Sequence, residues 1–427
     1  MSAAVLWRRA VAVAGALLLP LAGYAQAAAS TASAPSAHAG HAGHAAAAAA
    51  TSTGAARCSS SALACASAVT AALDPQGRLW LAWAANGAVS VARSDDGGRE
   101  FGAARVIGRH GAQLDSGADA RPQLVVDRQG RITVAYGVFK DQQWNAQVMV
   151  ATSQDEGRTF SPPRSLSAHG ASQRFPTLVL DADGQLMAAW LDKRTVATAR
   201  AAGRKAEGAA LVYAWSTDGG LSFGPERLAA DGTCECCRLA VAQAAGHQPL
   251  FVYRKLYEGG IRDHALLALD DVGAVRAQTR VARDDWRLDG CPHHGPAVAV
   301  TADGHVHAAW FTQGSARQGL FLAHADSASA AFSEPLRVGA PGVQAGRPAF
   351  AVRGQRIWLL WKAFDGQRIQ AAVRVSSDGG LSWSDDRWLA STSGPADQPT
   401  FVEGGAWPQV SWSTRDEGHR IFPLEQP

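Results

Sequence analysis

The chain has 427 residues, 40 Lys and Arg against 37 Asp and Glu, and a net charge of +3 at pH 7. Setting aside Arg8 and Arg9 leaves 38 basic side chains, so the remainder of the chain is nearly neutral. That balance excludes a nucleic-acid or anionic-membrane surface as the organising feature.

Along the chain, the first segment carries a basic start (Trp7-Arg8-Arg9), an apolar stretch from Ala10 to Gly23 and a small-x-small site at Ala25-Gln26-Ala27. The apolar stretch is short for a bilayer span, and the order of features is that of a secretory signal over 1–27. The mature protein is expected outside the cytoplasm, periplasmic or extracellular, where disulfides are permitted and with no membrane span. Residues 28–62 are rich in Ala, Ser, Thr and Gly and offer almost nothing to bury, which predicts a disordered arm. His38, His41 and His44 recur in it every third residue, an auxiliary tract for Cu or Zn.

From residue 63 a strand, Gly turn and strand recur seven times. The turn glycines are Gly77, Gly130, Gly184, Gly246, Gly304, Gly354 and Gly405, spaced 50 to 62 residues apart. Six or seven positions after each comes Trp83, Tyr136, Trp190, Tyr253, Trp310, Trp361 or Trp412. A hairpin that repeats with an aromatic at one register buries its face against its neighbours, which predicts an all-β β-propeller over 63–427. Seven blades are expected, the last completed by a strand from the N-terminal side of residue 67; six is the alternative.

A second motif, S-x-D-x-G-x-x-aromatic, occurs at Ser94–Phe101, Ser153–Phe160, Ser216–Phe223 and Ser376–Trp383. Its Asp96, Asp155, Asp218 and Asp378 would bond turn amides while Gly supplies the positive φ. These copies resemble the Asp boxes of the sialidase/neuraminidase superfamily. The resemblance implies the propeller fold and, as a functional alternative, exo-α-sialidase hydrolysis. In that reaction an arginine cluster holds a carboxylate, a Tyr is the nucleophile and an Asp is the acid/base. Arg121, Arg174 and Arg347, each entering an innermost strand, would be the clamp, with Asp119 (or Asp397) and Tyr253 in the other roles. The family's F/Y-R-I-P motif is absent, and no tyrosine follows Tyr257.

Half of the cysteines lie in "TCECCRLAVA", at the mouth of unit four, and Cys291 opens "GCPHHGP" at the mouth of unit five. Cys234, Cys236, Cys237, Cys291, His293 and His294 thus come from equivalent positions of adjacent units. Thiolate with imidazole favours Cu(I), Zn or Cu(II) over Mg or Ca. The same cysteines permit disulfides, one between Cys291 and unit four, although adjacent Cys236 and Cys237 would make a strained ring. Cys58 and Cys65 are expected to form a separate local staple. The pair of cysteine motifs also resembles that of a subgroup of exported bacterial sialidase-like propellers. The leading expectation is a periplasmic binding protein holding a soft metal, copper first or zinc, at a Cys/His rim. Two alternatives stand beside it: the glycoside hydrolase acting on an anionic glycan, and a non-catalytic platform for a protein partner.

Overall fold

The computed structural model describes residues 58, 60–243 and 248–424. The predicted signal, the arm with His38, His41 and His44, and the turn at Gly246 lie outside the described residues. What is described is all-β and β-propeller-like: antiparallel sheets laid down in chain order, each built from consecutive strands.

Unit one comprises Ala68–Leu73, Leu79–Ala85, Ala88–Ser94 and Arg105–Arg109. Unit two runs from Leu114–Asp115 through Ile132–Phe139 to Arg164–Ser165. Unit three (Gln173–Leu180 to Arg227–Thr233) and unit four (Ala240–Gln243 to Val275–Arg280) form one eight-stranded sheet. Their junction is the single pairing of Thr233 with Lys255, beside the hydrogen bond from the Cys234 N–H to the Arg254 carbonyl (2.7 Å). Unit five spans Ala297–Val300 to Leu336–Val338, unit six Gln344–Arg353 to Arg387–Thr392, and unit seven Thr400–Phe401 to Gly418–Pro423. One short helix, α1 (Arg194–Ala201), is inserted in unit three.

The strand that carries the repeated aromatic is largely buried in every unit, because apolar side chains face both neighbouring sheets. In unit one all seven residues of Leu79–Ala85 are buried. The repeated aromatics sit here, Trp83, Tyr136, Trp190, Tyr253, Trp310, Trp361 and Trp412 all at 0–1% exposure. A buried indole usually finds an acceptor for its N–H. Four of the five repeated tryptophans do so among the described residues, Trp361 being the exception. Trp190 donates to Asp192 (3.1 Å), Trp310 to Asp284 (2.7 Å), Trp412 to the Asp397 carbonyl (3.0 Å) and Trp83 to the Ser61 carbonyl (2.9 Å). Successive units share apolar clusters, for example Trp310 with Leu250 and Leu266 between units four and five.

The first and last units also meet. Val402 and Ile421 pack with Val69, Leu81 and Trp83. A parallel bridge joins Ala72 to Glu403, with Leu73 N–H to Glu403 O at 2.7 Å and Glu403 N–H to Ala71 O at 3.0 Å. The expected extra strand before residue 67 is not found among the described residues. Leu63–Cys65 instead makes a 3-10 turn, with Leu63 and Cys65 packed on the first unit's core and a disulfide joining Cys58 to Cys65. The Cys58–Cys65 disulfide holds its two Cα atoms 5.4 Å apart, which the ends of an extended strand of that length could not do.

The four Asp boxes share one geometry. The serine hydroxyl donates to the aspartate at 2.7–2.8 Å and accepts the N–H of the glycine four residues on at 2.8–2.9 Å. Ser382 bonds Asp378 as well, which holds that carboxyl down to about 2. The boxes lie between the third and fourth strands of their units, away from the innermost strands. At Gly380, φ is +90° and an added Cβ would sit 2.2 Å from the His307 ring, so only glycine fits.

His307 and His419 are buried, and burial holds both down to about 4. The unfolded chain therefore binds protons near pH 6.5 that the folded chain refuses until about pH 4, so stability is full above 6.5 and is lost as pH falls through this window. Each histidine is expected to contribute on the order of 2–3 kcal/mol to that loss. Urea unfolding at pH 7 and pH 4.5 should show a smaller difference for a His307→Gln/His419→Gln variant than for the parent chain. An unchanged difference would contradict the assignment.

Candidate functional site

The cysteine motif begins where unit three ends. The Thr233 hydroxyl donates to the Ala209 carbonyl (2.6 Å), and the next residue, Cys234, is pinned to unit four through Arg254. The chain then has only a tight loop before Ala240–Gln243, and it folds the three side chains inward. Cys234, Cys236 and Cys237 are 1–2% exposed, and their sulfurs lie within 4.8 Å of one another. Cys234 Sγ is 3.5 Å from Cys236 Sγ and 3.7 Å from Cys237 Sγ, beyond any covalent bond. Cys291 packs against the three and hydrogen-bonds Cys236.

Two guanidiniums stand behind the sulfurs. Arg262 Nη1 donates to Cys234 Sγ (3.5 Å) and to the Gly290 carbonyl (2.9 Å). Arg254, 1% exposed, lies 4.4 Å from the Trp286 ring centre and donates to the carbonyls of Arg262, His294 and Phe311 at 2.9–3.2 Å. Hydrogen bonds with Cys236 and Cys237, with the two arginines adding to them, hold Cys234 well below the usual thiol range. The same contacts push Cys236 up, and burial pushes up Cys237.

The two histidines part company. His293, at φ +50°, bonds Cys291; burial opposes its protonation, but Cys291 and the charges of Asp119 and Cys237 outweigh that and raise it. His294 turns instead to unit five and unit six: its ring stacks on Phe311 at 4.1 Å and lies 3.4 Å from where a Cβ on Gly346 would be. Burial, then Arg347, lowers it to about 4. Sequence places both histidines with the cysteines; the structure puts only His293 there.

The three sequence-selected arginines each have a carboxylate. Arg121 donates to Asp397 (2.8 Å) and to the Val69 carbonyl (2.6 Å), with the two side chains 7% and 3% exposed. Arg174 grips Asp115 through Nε and Nη2 (2.8 and 2.9 Å) and lies over Phe175. Arg347 pairs with Asp119. Tyr253 is core, and its hydroxyl accepts from Gln278 Nε2 (2.8 Å). Tyr257 stacks under Arg280 at 4.5 Å.

Sequence reasoning misses Arg238 and Lys362. Arg238 lies 3.7 Å from Asp119 and donates to the Pro348 carbonyl (3.1 Å). Burial, and the like charges of Arg347 and Arg121, hold it down to about 10. The signal was present: Arg121, Arg174, Arg238 and Arg347 fall 14 to 16 residues ahead of their units' core aromatics. The cysteines therefore precede unit four's mouth arginine and do not replace it. Lys362 donates to the Ala396 carbonyl (2.6 Å) and is lowered by burial, with Asp397 opposing and Arg347 and Arg121 reinforcing.

These groups border two cavities. One of about 490 Å³ is lined by innermost strands of all seven units, with Asp119, Arg121 and Arg238 among its walls. The other, about 600 Å³, is lined by His294, Phe311, Arg347 and Lys362.

No protein-family model and no curated protein matches the chain. Solved structures do. A polysaccharide lyase, a PL25 ulvan lyase, is 14% identical with a TM-score of 0.55 over 83% of this chain and 91% of that one. The same lyase has also been solved bound to GlcA(1-4)Rha3S (TM-score 0.53, 13% identical). Polysaccharide lyase Uly1 is 8% identical, TM-score 0.54, over 84% and 90%. A protein of unknown function from Dyadobacter fermentans is 16% identical, TM-score 0.52, over 73% and 94%. At such identities the likeness concerns the fold.

Proposed function

We propose that this chain is an exported, seven-bladed propeller of the sialidase type whose mouth takes an acidic polysaccharide. The observation that carries the reading is the charge there: Arg121, Arg238, Arg347 and Lys362 act on one another around two carboxylates, Asp119 and Asp397, with Glu403 a further carboxylate on the wall of the cavity of about 490 Å³. His294, held near 4, adds no charge at neutral pH. The cations thus outnumber the carboxylates among the described residues there, and a sugar carboxylate or sulfate supplies the missing charge. The likeness to polysaccharide lyases supports a glycan-directed role over the metal-holding role that the sequence places first. Blade count and closure rest on the seven repeats and on the contacts between units one and seven.

Within this reading the ligand engages Arg347, Arg238 and Lys362. Arg121 and Arg174 are committed to Asp397 and Asp115 and hold the scaffold. The sialidase alternative draws on Arg347 and Asp119 but has Tyr253 in the core, where it cannot reach a substrate.

Binding to glucuronate-containing and sulfated polysaccharides, measured by calorimetry at low ionic strength, should weaken roughly 10–100-fold in Arg347→Ala and Lys362→Ala, each of which removes one charge-assisted contact. Product assays on the same polymers, for unsaturated ends and for new reducing ends, separate elimination from hydrolysis. An aryl sialoside tests the sialidase alternative. A chain that binds neutral and acidic polymers alike, or neither, would refute the proposal.

A further inference from the structure

We propose that Cys234, Cys236 and Cys237, closed by Cys291, hold a thiophilic d10 cation, Cu(I) or Zn(II). The inference is independent of the glycan reading and rests on different residues. The separations of 3.5 and 3.7 Å are far beyond a covalent S–S bond. They match the edge of about 3.8 Å in a tetrahedron of sulfurs around a metal at about 2.3 Å. The loop is already shaped for this: Cys234 is tied through its N–H to Arg254 and through its sulfur to Arg262. Little rearrangement is needed to contract three sulfurs onto an ion.

Charge points the same way. Three thiolates around a monovalent ion, or four around a divalent one, leave two negative charges. Two guanidiniums, Arg254 and Arg262, act on these sulfurs. A buried anionic cluster without such partners would be costly. Burial at 1–2% excludes hydrated hard cations, and sulfur donors select soft or borderline ions. His293 serves as a positioning residue through its bond to Cys291. His294, stacked on Phe311, is outside the set. On binding, each ligating thiol releases its proton to solvent and no electron moves.

The full chain, purified anaerobically with reductant and then freed of it, would be titrated with Cu(I) against a bicinchoninate competitor and separately with Zn(II) against a chromogenic chelator. One ion should bind tightly outside the arm, unaffected by His38→Ala/His41→Ala/His44→Ala. Affinity should fall at least 100-fold in Cys237→Ser and Cys234→Ser. Cys291→Ser distinguishes the ions: a four-sulfur Zn(II) site loses affinity as severely, while a three-sulfur Cu(I) site loses much less. X-ray absorption should give metal–sulfur distances near 2.3 Å. If a serine variant misfolds by circular dichroism, alkylation of the intact chain decides: bound metal should protect Cys234, Cys236 and Cys237 together. Absence of protection and of tight binding overturns the proposal. So does a disulfide within the cluster in protein never exposed to reductant.

Discussion

Arg121→Ala is expected to destabilise the protein by about 3–5 kcal/mol, the cost of breaking a buried ion pair from one side. Arg121 reaches from unit two to Asp397, which itself accepts the N–H groups of Val69 (2.9 Å) and Gln398 (2.7 Å). The Val69 carbonyl in turn takes Arg121 Nη1. Removing the guanidinium leaves a carboxylate at 3% exposure with amides but no counter-charge, and strips a carbonyl of its donor. Asp397→Asn leaves one amide oxygen where Oδ2 served the Val69 N–H and Oδ1 the Gln398 N–H, so one N–H loses its acceptor. It should still cost less than Arg121→Ala, because the side chain's volume and one acceptor remain. A combined Arg121→Ala/Asp397→Asn variant should lose less than the sum of the two single losses, since neither charge then stays buried alone. Urea unfolding of the four chains measures this; strictly additive losses would show that the pair is not coupled.

The second large effect is expected at Trp310. Truncation to alanine removes a fully buried ring that packs between units four and five, at about 3–5 kcal/mol for large-to-small core changes. It also deprives Asp284 of the indole donor at 2.7 Å. Asp284 keeps Arg317 (2.6 Å), so its charge is not orphaned, and the loss should be mainly one of packing. Trp310→Phe should therefore recover most of the stability while leaving the hydrogen bond missing. If Trp310→Phe unfolds as readily as Trp310→Ala, the hydrogen bond dominates and this ranking is wrong.

What could be read from sequence was what is local or periodic. Gly turns, core aromatics and Asp boxes each lie within about ten residues and repeat, so one unit instructs the reading of the next. The cysteine motif was legible for the same reason, because equivalent positions in adjacent units meet in space. Ion-pair partners were not legible. Arg121 and Asp397 lie 276 residues apart, and nothing in either neighbourhood names the other. The three arginines chosen as a clamp looked alike at the strand entrance, yet each is paired with a carboxylate, Arg347 sharing Asp119 with Arg238. Arg238 escaped notice because the preceding cysteines were aligned with the arginine register it occupies. His294 looked equivalent to His293, but the backbone turns at His293, whose φ is +50°, and Phe311 offered the His294 ring a face to stack on.

The hydrogen bonds between Leu73 and Glu403 join a stretch made early in synthesis to one made almost last. Contacts that far apart in sequence are slow to form, because the intervening chain must be ordered before they repay its entropy. Each intermediate unit can assemble on its predecessor, but unit one keeps an unsatisfied edge until residues beyond 400 are available. A chain cut short before unit seven would leave uncovered the apolar faces on which Val402, Ile421, Phe401 and Val410 pack, Trp83 and Trp358 among them, and these are prone to associate with other copies.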